Sequence, residues 1–296
     1  MNGIHMTTPL IKEPEPNQLL LEALEKRWKN YRAEIKHGRT EFSDEVVHDL
    51  RVATRRMLAF IQLWNLILPR PRLKKMTRAF KDQLNDFDDL RDTQVILTKL
   101  SEIIDELPQL KDFQKHLQST EEHLLRTVHK KIKQLETDEI SKRVRKTQDT
   151  IEAESNNDLP SRIMQAADET YLVVKQRREW VDLTRSVTIH RVRVAFKSFR
   201  YMIEIIQPFL KDFPDENLKR MNDYQDLMGE VQDSEVFAQT LEDFSEDAPI
   251  ADPEPVRHYS EHRHAAAISA YAEAANQINN FWRSTPEESF PWEKTT

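Results

Sequence analysis

The sequence predicts an all-α fold made of two similar helical bundles, and three features predict it. Only 3 of the 296 residues are glycine, well below the usual share of roughly 7%. β-Hairpins, phosphate-binding loops and nucleophile elbows all need glycine at fixed places. Fourteen prolines separate segments whose apolar residues recur with helical period. One pattern of residues also occurs twice.

Between the prolines, helices are expected at about 17–37, 44–68, 72–106, 109–153, 161–182, 188–207, 215–244 and 255–282. The ends, 1–16 and 284–296, are rich in Pro, Thr and Glu and read as loose tails, leaving one domain over 17–283.

The repeat is visible by eye. VHDLRVATRRMLAFI (47–61) aligns with IHRVRVAFKSFRYMI (189–203) at an offset of 142. It pairs His48 with His190, Arg51 with Arg193, and Arg55 with Lys197. FDDLRDTQV (87–95) aligns with MGEVQDSEV (228–236) at an offset of 141, pairing Asp92 with Asp233. Two matches in the same order at nearly one offset imply a tandem duplication, with a first copy at about 17–155 and a second at about 160–283. Two such copies would be related by an approximate twofold axis.

With 38% hydrophobic and 32% charged residues, the chain is globular and not disordered. Cysteine is absent, which removes disulfides, thiolate metal sites and a cysteine nucleophile. Neither a membrane span nor the apolar core of a signal peptide is visible, so the cytoplasm is expected. The net charge of −7 argues against a polyanionic partner, but its distribution argues for one. Residues 48–81 carry nine Lys/Arg and one acid, and 175–200 carry eight against two. Residues 212–254 carry two against fourteen.

At 100° per residue, His48, Arg51 and Arg55 share one helix face, with Arg56 beside them, while Leu50, Met57, Ile61 and Trp64 cover another. The second copy repeats this with His190, Arg193, Lys197 and Arg200. A cationic stripe is ordinarily a solvated helix face. Here it is duplicated with its histidine in phase, and only Glu204 interrupts it with an acid at i, i+4 spacing. Lys74, Arg78 and Lys81 form a further stripe on the next helix. Cations crowded toward one cleft call for an anion between them.

These residues carry a resemblance. H-x-L-R-V-x-x-R-R at 48–56 and H-x-V-R-V-x-x-K-S-x-R at 190–200, with L-R-D (90–92) and V-Q-D (231–233) each followed by x-x-V, resemble the CHAD family, the conserved histidine α-helical domain. The resemblance spans about 19–282. It implies an internally duplicated helical fold that binds inorganic polyphosphate in a basic central channel, associates with polyphosphate granules and needs no catalytic step. The binding residues it implies are His48, Arg51, Arg55, Arg56, Lys81, His190, Arg193, Lys197 and Arg200, with Lys74 and Arg78 from the adjoining stripe. Leu58, Ser198 and Asn222 stand where basic residues are common, and Lys219 and Arg220 could compensate one turn earlier. No cofactor or metal is implied. Arginine forks and lysine charges suit a ligand that has phosphates and no bases. Affinity should fall with salt and rise from pH 8 to 6 through His48 and His190. Charge reversal of Arg51 and Arg193 together should abolish binding.

Two other functions fit parts of the sequence. Asp88, Asp89 and Asp92 form a D-D-x-x-D pattern that an all-α isoprenyl diphosphate synthase would use to hold magnesium, but the arginines expected after it are missing from TQVILTK (93–99). An RNA-binding module would want aromatic rings among the cations, yet only Tyr201 lies near the stripe. His258, His262 and His264 raise a metal reading, although Arg257 and Arg263 flank them.

Overall fold

A computed structural model of the chain describes residues 15–155 and 157–293. The expected tail at 1–16 lies outside the described residues up to position 14. The first six helices are α1 (Pro16–Thr40), α2 (Asp44–Ile67), α3 (Pro71–Asn85), α4 (Asp88–Ile103), α5 (Lys111–Gln134) and α6 (Asp138–Glu152). Four more follow: α7 (Leu159–Glu179), α8 (Ser186–Ile206), α9 (Asn217–Asp247) and α10 (Glu254–Ala274). No strand occurs among the described residues.

The helices begin and end for local reasons. Proline opens α1 and α3 at their first positions, where its missing N–H costs nothing. Ser43 caps α2 by accepting from the Val46 amide at 3.4 Å, and Asp44 and Glu45 sit in its positive first turn. In a chain so poor in glycine, the left-handed corners after α8 and α9 fall to Asp212 (φ 51°) and Asp252 (φ 49°), a residue type that tolerates this region.

Two helices expected as single rods are each broken, without proline or glycine at the break. The 72–106 segment divides at Asp86–Phe87 and the 109–153 segment at 135–137. Both breaks are held by arginines from other helices. Arg51 of α2 donates to the Leu84 carbonyl at 3.5 Å and to Asp88 at 3.1 Å, joining the end of α3 to the first turn of α4. Phe87 is fully buried at that corner. Arg39 of α1 donates to the Ile132 carbonyl at 3.5 Å and the Leu135 carbonyl at 2.5 Å, capping α5. Tertiary donors thus end both helices, and such signals are invisible in local sequence.

α2 and α8 are the inner helices. Each buries residues on more than one face, and they pack directly against each other. α1, α3 and α7 lie against α2, while α7 and α9 lie against α8. At the far end α4 meets α9, and a second apolar cluster joins Ile96, Leu100 and Phe113 to Phe237, Leu241 and Val256. The two halves therefore touch through α2 with α7 and α8, through α1 with α7, and through α4 and α5 with α9 and α10.

The segment 284–293, expected as a tail, packs onto the core. Phe290 stacks on Trp292 at 4.5 Å between centroids and lies edge-on to Trp282 at 4.8 Å. Three aromatic residues within a dozen positions outweigh the polar composition that suggested a tail. Beneath them Asp168 accepts from Trp282 Nε1 at 2.7 Å and from Arg283 at 2.7 and 3.0 Å. Asp168→Ala leaves the buried Trp282 indole N–H and the half-buried Arg283 guanidinium unpaired, so thermal or urea unfolding is expected to show a loss of about 2–3 kcal/mol. Asp168→Asn, which keeps one acceptor, should lose less.

Candidate functional site

The cationic faces of α2 and α8 meet. Arg51 is 5% exposed and committed to Asp88. Arg55, Arg193 and Lys197 are half-buried around it. The Arg55 guanidinium is drawn down to about 10 by burial first and then by Arg51 and Arg193. Burial, Arg55, Arg193, Arg51 and Arg200 together push the Lys197 ammonium down to about 6. Neither Arg55 nor Lys197 makes a hydrogen bond or ion pair among the described residues, and Arg193 Nε is buried without a partner. A buried cation normally holds an anion. This set holds none.

Acids lie across from the cations and act mainly on the arginines. Asp88 and Asp92 come from α4, and Asp226, Glu230 and Asp233 from α9. Burial and the Asp88 charge raise Asp92, whose neighbours include Asp233. Burial raises Asp233 too, against the pull of Arg193. Arg193 lies over Gly229, where an added Cβ would come within 3.7 Å of its Nε and Nη2. The bare helix surface there lets the guanidinium settle on α9.

The other expected site residues divide into two groups. Arg200, 9% exposed, donates to Gln225 at 3.1 Å and to Glu204 at 2.9 Å, and lies 4.4 Å over the Tyr201 ring. Arg56 pairs with the same Glu204 at 3.3 Å. One carboxylate thus neutralises two of the expected ligands. His190 is half-buried, and its Nδ1 has no partner. His48, Arg78, Lys81 and Lys219 are exposed and make no hydrogen bond or ion pair among the described residues. Lys74 lines a separate open groove of about 370 Å³ with Gln62, Asn65 and Ser198. Arg220, expected to compensate for Asn222, instead donates to Asn217 at 3.2 Å and lies over Phe281.

Arg91 and Arg263 were not singled out as site residues by the sequence. Both act on Asp233, and Arg263 also pairs with Glu230 at 3.4 Å. The signal for Arg91 was its place between two aspartates of the repeated segment. The sequence marks Arg263, on α10, only as a cation flanking His258, His262 and His264.

The carboxylates of the D-D-x-x-D pattern are not gathered around one point among the described residues. Asp88 is occupied by Arg51, and among the described residues no group of three or more His, Asp or Glu is placed to hold a metal ion. His264 hydrogen-bonds Ser234 at 2.9 Å, while His258 and His262 stack with centroids 6.3 Å apart, so the three histidines do not gather on one ion. No helix among the described residues is long and apolar enough to cross a membrane.

Comparison with known proteins bears on the family and the fold. Among curated proteins nothing matches. One solved structure is the crystal structure of the CHAD domain from the plant Ricinus communis. It superposes with a TM-score of 0.66 at 14% identity, over 93% of this chain and 92% of that one. At that identity the likeness speaks for the fold alone. The family model of the CHAD domain matches residues 19–242, which takes in both inner helices, the broken α3–α4 pair and most of α9. With the family model matched over most of its length and the helical architecture shared, this chain belongs to the CHAD domain family.

Proposed function

We propose that this protein binds inorganic polyphosphate, without chemical change, in a channel between its two halves. The halves are read as repeats about an approximate twofold axis, each supplying one inner helix. One observation carries the reading. Arg55, Arg193 and Lys197 are packed together from two distant stretches of chain with no ion pair among the described residues, and burial and crowding depress the charge of Arg55 and Lys197. Family membership supports it. Arg51 shapes the floor. His190 and Arg200 flank the cluster, and His48, Lys74, Arg78, Lys81 and Lys219 add outer positive charge. Arg56 is the least available, because Glu204 holds it. The cellular setting consistent with this is the cytoplasm, on polyphosphate granules.

Flexible phosphate chains offer no base to stack or read, so affinity comes from ion pairing and counterion release. Binding of labelled polyphosphate is expected to weaken steeply between 50 and 300 mM salt, with a log–log slope of about −3 or steeper if four or more phosphates are engaged. Single-stranded RNA of equal charge should compete at least about tenfold less well, for want of exposed stacking rings in the cluster. Equal competition by RNA would make the site a general polyanion site. A flat salt dependence would remove the ionic basis of the reading.

A further inference from the structure

Lys197 differs from the rest of its cluster in chemistry. An arginine stays charged however it is crowded, but an amine can release its proton and become a nucleophile. Lys197 is half-buried and has no hydrogen-bond or ion-pair partner among the described residues. Arg193 and Arg200 face it from its own helix, and Arg51 and Arg55 from α2. The nearby acids are engaged elsewhere: Asp88 holds Arg51, Glu204 holds Arg200 and Arg56, and Asp233 acts on Arg193. With its ammonium pushed down to about 6, the side chain carries a free lone pair at neutral pH. Four guanidinium groups stand around that lone pair.

We propose that Lys197 is a modification site for acyl phosphates, the mixed anhydrides of a carboxylic acid and phosphoric acid. The inference rests on the anion-binding reading of the cluster, because the same arginines would hold the reagent's phosphate. Nζ attacks the acyl carbonyl carbon, and the N–C bond of an amide forms. The C–O bond to phosphate breaks, inorganic phosphate leaves with that electron pair among the arginines, and the proton lost from nitrogen passes to the departing phosphate or to water. Nothing is oxidised or reduced. The amide cannot regain a proton, so acylation deletes one cation of the cluster and fills its space. Polyphosphate binding would then be antagonised by the modification and, in turn, protect against it.

The test treats the full-length protein with acetyl phosphate between pH 6 and 9 and follows each lysine by peptide mass spectrometry. Lys197 is expected to be acetylated at least about 10-fold faster than exposed Lys36 and Lys111, which lie outside the binding set, at pH 7, since a far larger neutral fraction outweighs its lower intrinsic nucleophilicity. Its rate should level off above about pH 7, and excess inorganic phosphate or polyphosphate should slow Lys197 and spare the surface lysines. Equal rates at the three lysines, or a Lys197 rate still climbing through pH 9, would overturn the proposal. Acetic anhydride, which has no phosphate, separates the two layers. Selectivity toward acetic anhydride but not acetyl phosphate overturns phosphate anchoring together with the anion reading. Normal polyphosphate binding with no selectivity toward either reagent overturns the modification site alone.

Discussion

Replacing Arg55 and Arg193 by glutamine and Lys197 by methionine in one protein is expected to weaken polyphosphate binding by at least about a hundredfold while raising the unfolding temperature. The loss follows from removing three cations, since a hydrogen bond to a charged group contributes about 1.5–3 kcal/mol and each 1.4 kcal/mol is tenfold in affinity. The salt slope should become shallower by about 2, as expected when about three phosphate contacts disappear. The gain in stability follows from the same geometry. Each of the three charges is depressed or left unpartnered by its neighbours in the free protein, and the replacements keep the apolar stems that pack the site. Folding and binding thus place opposite demands on these residues, as is common where a site is assembled for a ligand. The measurements are a thermal melt and a binding isotherm at two salt concentrations. A variant that melts lower and binds normally would make the cluster structural. Reversing Arg51 and Arg193 to glutamate is the less informative experiment. Arg51 bridges the α3–α4 corner, and a glutamate there would sit beside Asp88 and Asp92. That variant is expected to lose stability before it reports on binding.

Much of the fold was legible because it is written in period and punctuation. The helical class followed from scarce glycine, and the limits of α2, α7 and α8 fell within a few residues of their proline and polar borders. The α3–α4 and α5–α6 breaks were not legible, because Arg51 and Arg39 impose them from other helices. At the site, the repeat identified Arg51, Arg55, Arg193 and Lys197, whose common helix phase is a local property. The pairing of Arg56 with Glu204, and the arrival of Arg263 from α10, depend on how helices cross, which no single-helix pattern encodes. Glu204, the one acid noted on the stripe, has Arg200 at i, i+4 spacing, but its second partner, Arg56, is 148 positions away and could not be assigned from spacing.

Stability and affinity should also move in opposite directions with pH, through one amine. In the folded protein Lys197 holds its proton only below about 6, whereas in the unfolded chain an ordinary lysine keeps it to about pH 10. Between those values the unfolded chain binds the extra proton, so the free protein becomes more stable as pH rises from about 6.5 toward 9, by at most about 1.4 kcal/mol per pH unit. Asp92 and Asp233, raised by burial, act with the opposite sign, and comparison with Lys197→Met separates their contribution from the amine's. Bound polyphosphate would neutralise the surrounding arginines and restore the Lys197 proton, so the complex carries a proton that the free protein lacks. Affinity therefore falls as pH rises from 7 to 9, by up to about tenfold per unit for one proton. The check is a set of melting curves and binding isotherms at pH 6.5, 7.5 and 8.5 on the native protein and on Lys197→Met. The native protein should show melting temperature rising while affinity declines, and the variant should lose both trends. Parallel trends, or an unchanged slope in the variant, would mean that the pH response arises outside the cation cluster.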